Sequence, residues 1–329
     1  MKAKRQYTQP VTAKRSGFTL VEMLVVIAII GILTAILVPV IGGAIRTSHE
    51  FAIKADMKNI ETAIENYKAK TFAYPTDFRN PATLRPHVSK LNGRAITNAL
   101  IDTSNFANTA TWYGSTLNNP HYTRGLSPIQ TRRPNTIDAA ESWVFWLYET
   151  TNNPTYPLGA IPFNNTFVLD PNWLTVWDPN RFMAFDEKRF TDIDQDGWFE
   201  YVAPEGADDV PYVYFDCRTY TDAGWFTNAF YTTPNTNPPP RPFGEVRPYL
   251  QQDDHNNANG PNFKWYEPNK YQLLNCGLDG EFGDYAYAGF NVNNPNTYKI
   301  IPHNENISVK DRDNIFSATA GRVDKSFED

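Results

Sequence analysis

The most constraining feature of the sequence is a run of 23 residues without a charge, from Met23 to Ile45. About 20 residues suffice for a helix to cross a bilayer. The run is longer than the roughly 7–15-residue apolar region of a cleaved signal peptide, and no small-residue cleavage site follows it. The sequence therefore predicts a transmembrane helix over residues 18–45 that stays in the mature protein.

The charges on the two sides of this run differ in sign. Residues 1–17 carry five basic side chains and no acidic one, whereas the rest of the chain has 25 basic and 36 acidic residues, a net charge of −11. The positive-inside rule keeps the basic end in the cytoplasm. We therefore predict a single-pass protein of the inner (cytoplasmic) membrane with a periplasmic or extracellular body. An acidic body also argues against a nucleic-acid partner, which requires a basic face.

Two residues do not fit a plain membrane anchor. Glu22 begins the apolar stretch, and a carboxylate in the bilayer is unfavourable by about 2.5–3.5 kcal/mol at the centre and less near an end. Such a residue usually has a polar or charged partner. Pro39 removes one backbone hydrogen bond, so the sequence predicts a kink or local melting of the helix there.

The stretch Lys14-Arg15-Ser16-Gly17 followed by Phe18-Thr19-Leu20-Val21-Glu22 resembles the processing signal of type IV pilins and type II secretion pseudopilins. The resemblance implies cleavage between Gly17 and Phe18 by a prepilin peptidase, which would release residues 1–17 as a cytoplasmic leader. It further implies N-methylation of Phe18, and pairing of Glu22 with the amine of a neighbouring subunit. Pro39 falls where the family often has a helix-breaking proline. The alternative is a simple signal anchor in which Glu22 occurs by chance.

Residues 46–72 continue the helix in amphipathic form, without Gly or Pro. Apolar residues recur at spacings of 4, 3, 4 and 3, which places them on one helical face. This stripe comprises Ile53, Met57, Ile60, Ile64 and Tyr67. We expect it to pack on the chain's own sheet rather than form a partner-binding coiled coil, and Tyr74-Pro75 to end the helix. In the family plan, the apolar half bundles in the filament and the amphipathic half lies on a globular head. The resemblance covers about residues 14–78.

The body, residues 73–329, has short apolar or aromatic segments separated by long turns, which favours β-strands. The segments are 142–148, 165–170, 210–216 and 270–275. The first of them is equally compatible with a helix running on from Ile137. The predicted fold class is therefore α+β: a long N-terminal helix packed on an antiparallel β-sheet head, with a loop-rich body enlarged by an insertion or second lobe around 79–190.

A first candidate calcium loop places Asp192, Asp194 and Asp196 two residues apart before a glycine. Calcium prefers several hard oxygen ligands, which this alternation followed by a tight turn supplies. Glu200 is the next acidic residue. The loop is not a complete EF-hand because its twelfth position is Ala203. The alternative is an acidic Asx-turn in solvent.

The segment that contains Asp279 and Asp284, followed later by Asp313, resembles the carboxy-terminal part of major pseudopilins. In that family a Gly-x-Asp-Gly loop binds a structural calcium, so the resemblance implies these three aspartates as ligands. The chain departs from the family pattern by placing about 26 residues between the two pieces. The alternative is that Asp279-Gly280 forms an ordinary hairpin turn.

The two cysteines, Cys217 and Cys276, each follow a strand-like segment. An exported protein permits a disulfide between them, and two free cysteines are the other alternative. The sequence has no nucleophile elbow, phosphate loop, HExxH, CxxC or dinucleotide fingerprint. It therefore predicts a protein without enzymatic activity.

These features together predict a structural subunit of a type II secretion pseudopilus or a type IV pilus, with calcium stiffening its head. The expected partners are other copies of the chain, other pilins or pseudopilins, the prepilin peptidase and the inner-membrane assembly platform. Two alternatives are a membrane-anchored surface module for glycan binding or adhesion, and a minor tip pilin.

Overall fold

The structure, a computed structural model, describes two compact units of the chain, Met1–Ser48 and His49–Asp329. The residues that it describes within them are 18–78, 80–92, 137–150, 160–163, 166–169, 178, 180–193, 198–204, 210–220, 246–253, 262–283, 300–301, 310–319 and 321–323.

The described elements are three α-helices, eleven short strands and several short 3₁₀-helical or π-helical turns. The helices are α1 (Leu20–Thr71), α2 (Pro81–Asn92) and α3 (Ser142–Val144), which continues as a π-helical turn over Phe145–Glu149. The strands are β1 (Ala160–Phe163), β2 (Thr166–Leu169), β3 (Phe190–Thr191), β4 (Glu200–Tyr201), β5 (Val213–Asp216), β6 (Leu250–Asp253), β7 (Asn262–Trp265), β8 (Tyr271–Asn275), β9 (Ile300–Ile301), β10 (Ile315–Phe316) and β11 (Gly321–Arg322). This content confirms the predicted α+β class.

Helix α1 has 52 residues and includes both predicted helical segments. The helix ends at Thr71, and Phe72 then adopts the left-handed conformation with φ of 60°. Pro39 lies inside α1 and the residues on both sides of it are helical, so the predicted local melting at this proline is wrong.

The central sheet has the strand order β11-β10-β8-β5 and is antiparallel throughout. Strand β5 pairs with β8 so that Val213 is opposite Leu274 and Asp216 is opposite Tyr271. The predicted strand segments 210–216, 270–275 and 165–170 are thus confirmed as the sites of β5, β8 and β2. Strands β1–β2 and β3–β4 form two hairpins, and β6 pairs with β7 antiparallel and with β9 parallel.

The apolar stripe of α1 packs on this sheet, as the sequence predicts. All five residues of the stripe are buried and belong to one apolar cluster with residues of the central sheet. The sheet residues of the cluster include Tyr214, Leu273 and Ile315. At the start of the stripe, the Tyr212 hydroxyl donates to the carbonyl oxygen of Ile53 at 3.4 Å. The second half of α1 is therefore a component of the core of the head.

The segment 142–148 is helical, so the strand alternative for it is wrong. Reciprocal hydrogen bonds begin the helix, because Glu141 accepts from the backbone nitrogen of Asp138 at 2.9 Å and Asp138 accepts from that of Glu141 at 3.2 Å. This is the arrangement of a capping box. The indole groups of Trp143 and Trp146 are fully buried and donate to the carbonyl oxygens of Tyr212 (3.1 Å) and Thr76 (2.8 Å).

Helix α2 is attached to α1 through a buried histidine. His87 is 1% exposed, and its Nε2 lies 2.8 Å from the hydroxyl of Tyr67. Its Nδ1 has no hydrogen-bond partner in the described part of the chain. Burial, with smaller contributions from the charges of Arg218 and Lys90, lowers the pKa of His87 to about 3.

We expect the head to lose stability as the pH falls below about 6.5. His87 takes up a proton near pH 6.5 in the unfolded chain but only near pH 3 in the folded one, so acid favours unfolding by up to about 1.4 kcal/mol per pH unit. Urea unfolding of the full chain in detergent micelles, followed by tryptophan fluorescence at pH 7.5, 6.5, 5.5 and 5.0, measures this loss. The variant His87→Gln should lose less stability over that range, and parallel curves for the two proteins would contradict the account.

Candidate functional site

The first candidate site is the amino-terminal end of α1, where Thr19 and Glu22 form a capping box. The backbone nitrogen and the hydroxyl of Thr19 each donate to Glu22 Oε2 at 2.8 Å. In return, the backbone nitrogen of Glu22 donates to the Thr19 hydroxyl at 3.3 Å. These bonds satisfy polar groups that the first turn of a helix leaves without partners.

The capping box gives Glu22 a partner within its own chain. The sequence predicts a partner for this carboxylate, and the resemblance assigns that role to the amine of a neighbouring subunit. Thr19 is a residue that the sequence analysis missed, although the spacing Thr-x-x-Glu before an apolar run is a recognised signal. The box leaves the carboxylate charge without a counterion, because Thr19 contributes a hydroxyl and an amide and no positive charge.

The apolar run that follows is not packed against other described residues of the first unit. Every residue from Phe18 to Ser48 is exposed. The large apolar side chains among them are between 45% and 77% exposed, whereas soluble proteins bury most such groups. Of the described helices, α1 is the one that is long and apolar enough to cross a membrane. The arrangement requires an apolar environment around this segment, supplied by lipid or by other helices.

The second half of α1 is fixed to the head by ion pairs and buried hydrogen bonds. Arg189 Nη1 donates to Asp56 Oδ1 at 3.0 Å, and a second, shorter bond joins Nη2 to Oδ2. The same guanidinium lies 4.1 Å from the ring centroid of Tyr201 and donates through Nε to the carbonyl oxygen of Val202 at 2.8 Å. A bidentate pair of this kind links α1 directly to the β3–β4 hairpin.

The segment after α1 is held by a buried carboxylate. Asp77 is fully buried, and its Oδ2 accepts from the backbone nitrogen of Asp216 at 3.2 Å and from the hydroxyl of Thr219. Arg218 pairs with Asp216 and donates to the carbonyl oxygen of Tyr74 at 3.0 Å. These contacts fix the direction in which the chain leaves α1.

The first candidate calcium loop is described at its two ends. Glu200 is 1% exposed on β4, and its Oε2 accepts from the backbone nitrogen of Ile193 at 3.0 Å. Glu200 and Asp192 therefore stand on opposite sides of the same short loop. Asp194 and Asp196 lie outside the described residues.

The second candidate calcium loop brings Asp279 and Asp313 together. The register that pairs Ile315 with Asn275 places Asp313 beside Gly277. A Cβ atom on Gly277, whose φ is 75°, would lie 2.1 Å from the carbonyl oxygen of Asp313, so only glycine permits this approach. Asp313 Oδ2 accepts from the backbone nitrogen of Leu278 at 3.1 Å.

The two carboxylates of this second loop interact directly. Burial, together with the charge and hydrogen bonding of Asp313, raises the pKa of Asp279 to about 6. Two adjacent carboxylates repel each other, and a divalent cation would relieve this repulsion. The third implied ligand, Asp284, lies outside the described residues, and the described residues alone contain no group of three or more His, Cys, Asp or Glu side chains that could hold a metal.

The disulfide alternative for the cysteines is wrong. Cys217 and Cys276 are both free, and each follows the carboxyl end of a strand, β5 and β8. Because β5 and β8 are antiparallel, their carboxyl ends lie at opposite ends of the strand pair. Cys217 lies beside Lys270, six residues from Cys276, which corresponds to about 20 Å along β8. A disulfide requires Cα atoms within about 7 Å. Burial, with the charge of Asp216, raises the pKa of the Cys217 thiol to about 11.

Comparison with known proteins places the similarity at the amino-terminal site. Residues 12–38 match the family model of the prokaryotic N-terminal methylation motif. The chain is 41% identical over 63 residues to the type II secretion system core protein G of Pseudomonas aeruginosa, a match that covers 19% of this chain and 44% of that protein. The proteins of the same name from Escherichia coli (38% over 65 residues, 20% and 45%) and Vibrio cholerae (36% over 63 residues, 19% and 43%) are also similar.

The chain spans less than half the length of the curated relatives that it matches. No solved structure matches the chain significantly. The comparisons therefore confirm the resemblance of the amino-terminal region to pilin-like proteins and to the major pseudopilin of type II secretion.

Proposed function

We propose that the chain is a non-enzymatic structural subunit of a filament, assembled by bundling of the apolar first half of α1. The observation that carries this proposal is the combination, within residues 12–48, of a methylation motif and a continuous apolar helix that is exposed on all sides. A methylation motif alone requires processing, and an apolar helix alone requires a membrane. A methylation motif that overlaps an apolar helix is typical of a subunit that is inserted in the membrane before assembly and becomes part of a helix bundle afterwards.

The proposed pathway begins with cleavage between Gly17 and Phe18 by a prepilin peptidase, followed by methylation of the new amine. The subunit remains in the inner membrane with its body on the far side. An assembly platform in that membrane then adds it to the filament, where lipid around α1 is replaced by the helices of neighbouring copies. The location of the motif within the matched residues 12–38 supports the first of these steps.

Glu22 is the proposed selector of register. Before assembly its carboxylate accepts two hydrogen bonds from Thr19, which lower the cost of placing it in an apolar environment. In the filament, the methylated amine of a neighbouring Phe18 supplies the positive charge that Thr19 lacks. Only the register that brings this amine to Glu22 neutralises the charge, so incorrect registers leave an unpaired carboxylate among apolar helices.

The machine that best accounts for the similarities is a type II secretion pseudopilus, with other pseudopilins as further partners. The relatives with which the chain shares 36–41% identity are all named core protein G of that system. A type IV pilus is the alternative that shares the same assembly chemistry.

Cysteine scanning of α1 tests the bundling. In a Cys217→Ser background, whose remaining Cys276 is fully buried, one added cysteine at Leu33, Thr34, Ala35 or Ile36 samples one helical turn. Oxidation in native membranes that contain the assembly machinery should produce covalent dimers at one or two of the four positions, because bundled helices face each other along one stripe. Dimer yield is measured by non-reducing electrophoresis.

The control in this experiment is the same set of variants in membranes without the assembly machinery. Dimers should be weak there and similar at all four positions, because helices that diffuse in lipid meet at random. Equal yields with and without the machinery would contradict assembly through the apolar half of α1.

We also propose calcium as a structural ion of the head. In one site Asp279 and Asp313 are the described ligands and Asp284 is the third candidate. In the other, Asp192 and Glu200 flank the candidates Asp194 and Asp196. The paired carboxylates of Asp279 and Asp313, in the second candidate calcium loop, fit a hard divalent cation because their two charges interact directly. Bound calcium would fix the carboxy-terminal segment against the central sheet.

Calcium should raise the melting temperature of the full chain in detergent micelles relative to the same sample with a chelator. Binding at 100 times Kd stabilises the folded state by about 2.7 kcal/mol. The variant Asp313→Asn should lose the part of the calcium-dependent shift that comes from its loop, and Asp192→Asn should lose the part that comes from the other loop. Asp186→Asn, an exposed aspartate outside both loops, should retain the shift. A melting temperature that does not respond to the chelator would exclude both sites.

A further inference from the structure

A cavity of about 330 Å³ lies within the second unit, between α1 and the turn that joins β7 to β8. The exposed face of α1 forms one wall, and the other consists of Glu267, Lys270, Tyr271, Ser317 and Ala318. Binding sites for small molecules have volumes of roughly 300–1,000 Å³. The cavity therefore has room for a ligand of the size of one amino-acid side chain. The filament role described above makes no use of it.

The walls of the cavity carry three carboxylates and two amines. Lys58 Nζ lies 2.7 Å from Glu61 Oε2, and Lys270 Nζ lies 3.7 Å from Glu267 Oε2. The side chain of Lys58 is 76% exposed and that of Glu61 only 16%, so the amine lies at the rim and the carboxylate within the wall. Glu65 is the third carboxylate. The five charged side chains that line the cavity thus give it a net negative charge.

Tyr271 contributes a hydroxyl to the wall of the cavity. The residue is 6% exposed, and its ring packs against Tyr74 and Tyr214 with centroid distances of 5.2 and 5.4 Å. Among the described residues, its hydroxyl has no hydrogen-bond partner. This hydroxyl is not among the fully buried polar atoms that lack a partner, so it is reached from the cavity and can form a hydrogen bond with a ligand there. Burial, followed by the charges of Glu61 and Glu65, raises the pKa of Tyr271, so its phenol remains neutral.

The chain's own Lys68 shows which charge the adjoining surface attracts. Lys68 Nζ lies 4.0 Å from the centroid of the Tyr74 ring, and the Tyr74 hydroxyl donates to Glu65 Oε1 at 2.9 Å. An aromatic ring polarised by a carboxylate attracts ammonium and guanidinium groups by a cation–π interaction. The same carboxylate, Glu65, also lines the cavity.

We propose that this cavity binds one organic cation, the ammonium or guanidinium group of a basic side chain or of a free amine. The cation donates hydrogen bonds to the carboxylate of Glu65 and to the hydroxyl oxygen of Tyr271, and Glu61 and Glu267 supply the surrounding negative charge. An anionic ligand would meet this negative charge and is excluded. The inference concerns the head alone and does not depend on the proposed filament assembly.

Titration of the full chain in neutral detergent micelles with ethylammonium or methylguanidinium chloride, followed by isothermal calorimetry, tests the site. We expect saturable binding of one cation per chain and no binding of sodium acetate. Glu65→Gln should weaken binding by about tenfold or more, because it removes a charge-assisted hydrogen bond. Tyr271→Phe should weaken it about threefold without lowering the melting temperature, since the hydroxyl has no protein partner to lose. The control Glu187→Gln, outside the cavity, should bind as the original chain does.

Carbodiimide cross-linking in native membranes distinguishes the two sources of the cation. A link between Glu65 of one copy and a lysine of another, identified by mass spectrometry, assigns the cation to a neighbouring side chain. Links within one copy alone, such as Lys58–Glu61, assign it to a free amine. The absence of saturable binding, or equal binding by the original chain, Glu65→Gln and Tyr271→Phe, would overturn the proposal and leave the filament role unaffected.

Discussion

Replacing Glu22 by leucine should leave the chain in the membrane but exclude it from filaments. The substitution makes the apolar run more favourable in lipid and removes the charge that the neighbouring amine requires. Loss of a paired charge in apolar surroundings exceeds the 1.4 kcal/mol that corresponds to a factor of ten, so the assembled fraction should fall by at least about tenfold. The measurement is the ratio of sheared, sedimentable chain to membrane-bound chain.

Thr34→Leu is the matched control for this experiment. It also replaces a polar residue of α1 by leucine, but the Thr34 hydroxyl bonds only within the helix, to the carbonyl oxygen of Ile30 at 2.7 Å. This variant should assemble normally. Normal assembly of Glu22→Leu would show that the carboxylate does not select the register and would favour a simple membrane anchor.

Replacing Gly17 by valine should abolish leader cleavage. The proposed peptidase cuts after this glycine, and a branched side chain would occupy the space that glycine leaves open next to the cut bond. The unprocessed chain retains residues 1–17 with their five basic side chains, which would have to enter the helix bundle if the chain assembled. We therefore expect both processing and assembly to be lost, as measured by intact mass and by sedimentation.

Ser16→Ala is the control for the glycine variant, because it changes the adjacent leader residue by a single hydroxyl. It should be processed normally. Complete cleavage of Gly17→Val between residues 17 and 18 would contradict the proposed cleavage site.

The parts of the fold that could be predicted are those with a local pattern. The uncharged run and the apolar stripe from Ile53 to Tyr67 each repeat with the period of a helix, so their location in α1 follows from the sequence. The strand pairing of Val213 with Leu274 has no comparable signal, because the partners are 61 residues apart. The two cysteines show what this missing signal means. The sequence predicts the strands that precede Cys217 and Cys276, but only the antiparallel pairing of β5 with β8 shows that the two thiols are too far apart for a disulfide.

The candidate sites divide in the same way. Gly17, Phe18 and Glu22 form a contiguous motif, whereas Asp279 and Asp313 become neighbours only because β10 pairs with β8. The pair of Asp279 and Asp313 is predicted from the resemblance to major pseudopilins, because no sequence spacing connects the two residues. The cavity beside Tyr271 could not be predicted, since it combines exposed residues of α1 with a turn about 200 residues later in the chain. The role of Thr19 could have been predicted, because its spacing from Glu22 is the local signal of a capping box.

The most direct test of the central claim is the intact mass and amino-terminal sequence of the chain extracted from its native membrane. The account predicts a chain that begins at Phe18 with a methylated amine and keeps its apolar run. A chain that begins at Met1, or one that is cut beyond Ile45, would contradict the filament role, because neither could place a methylated Phe18 next to Glu22 of a neighbouring copy.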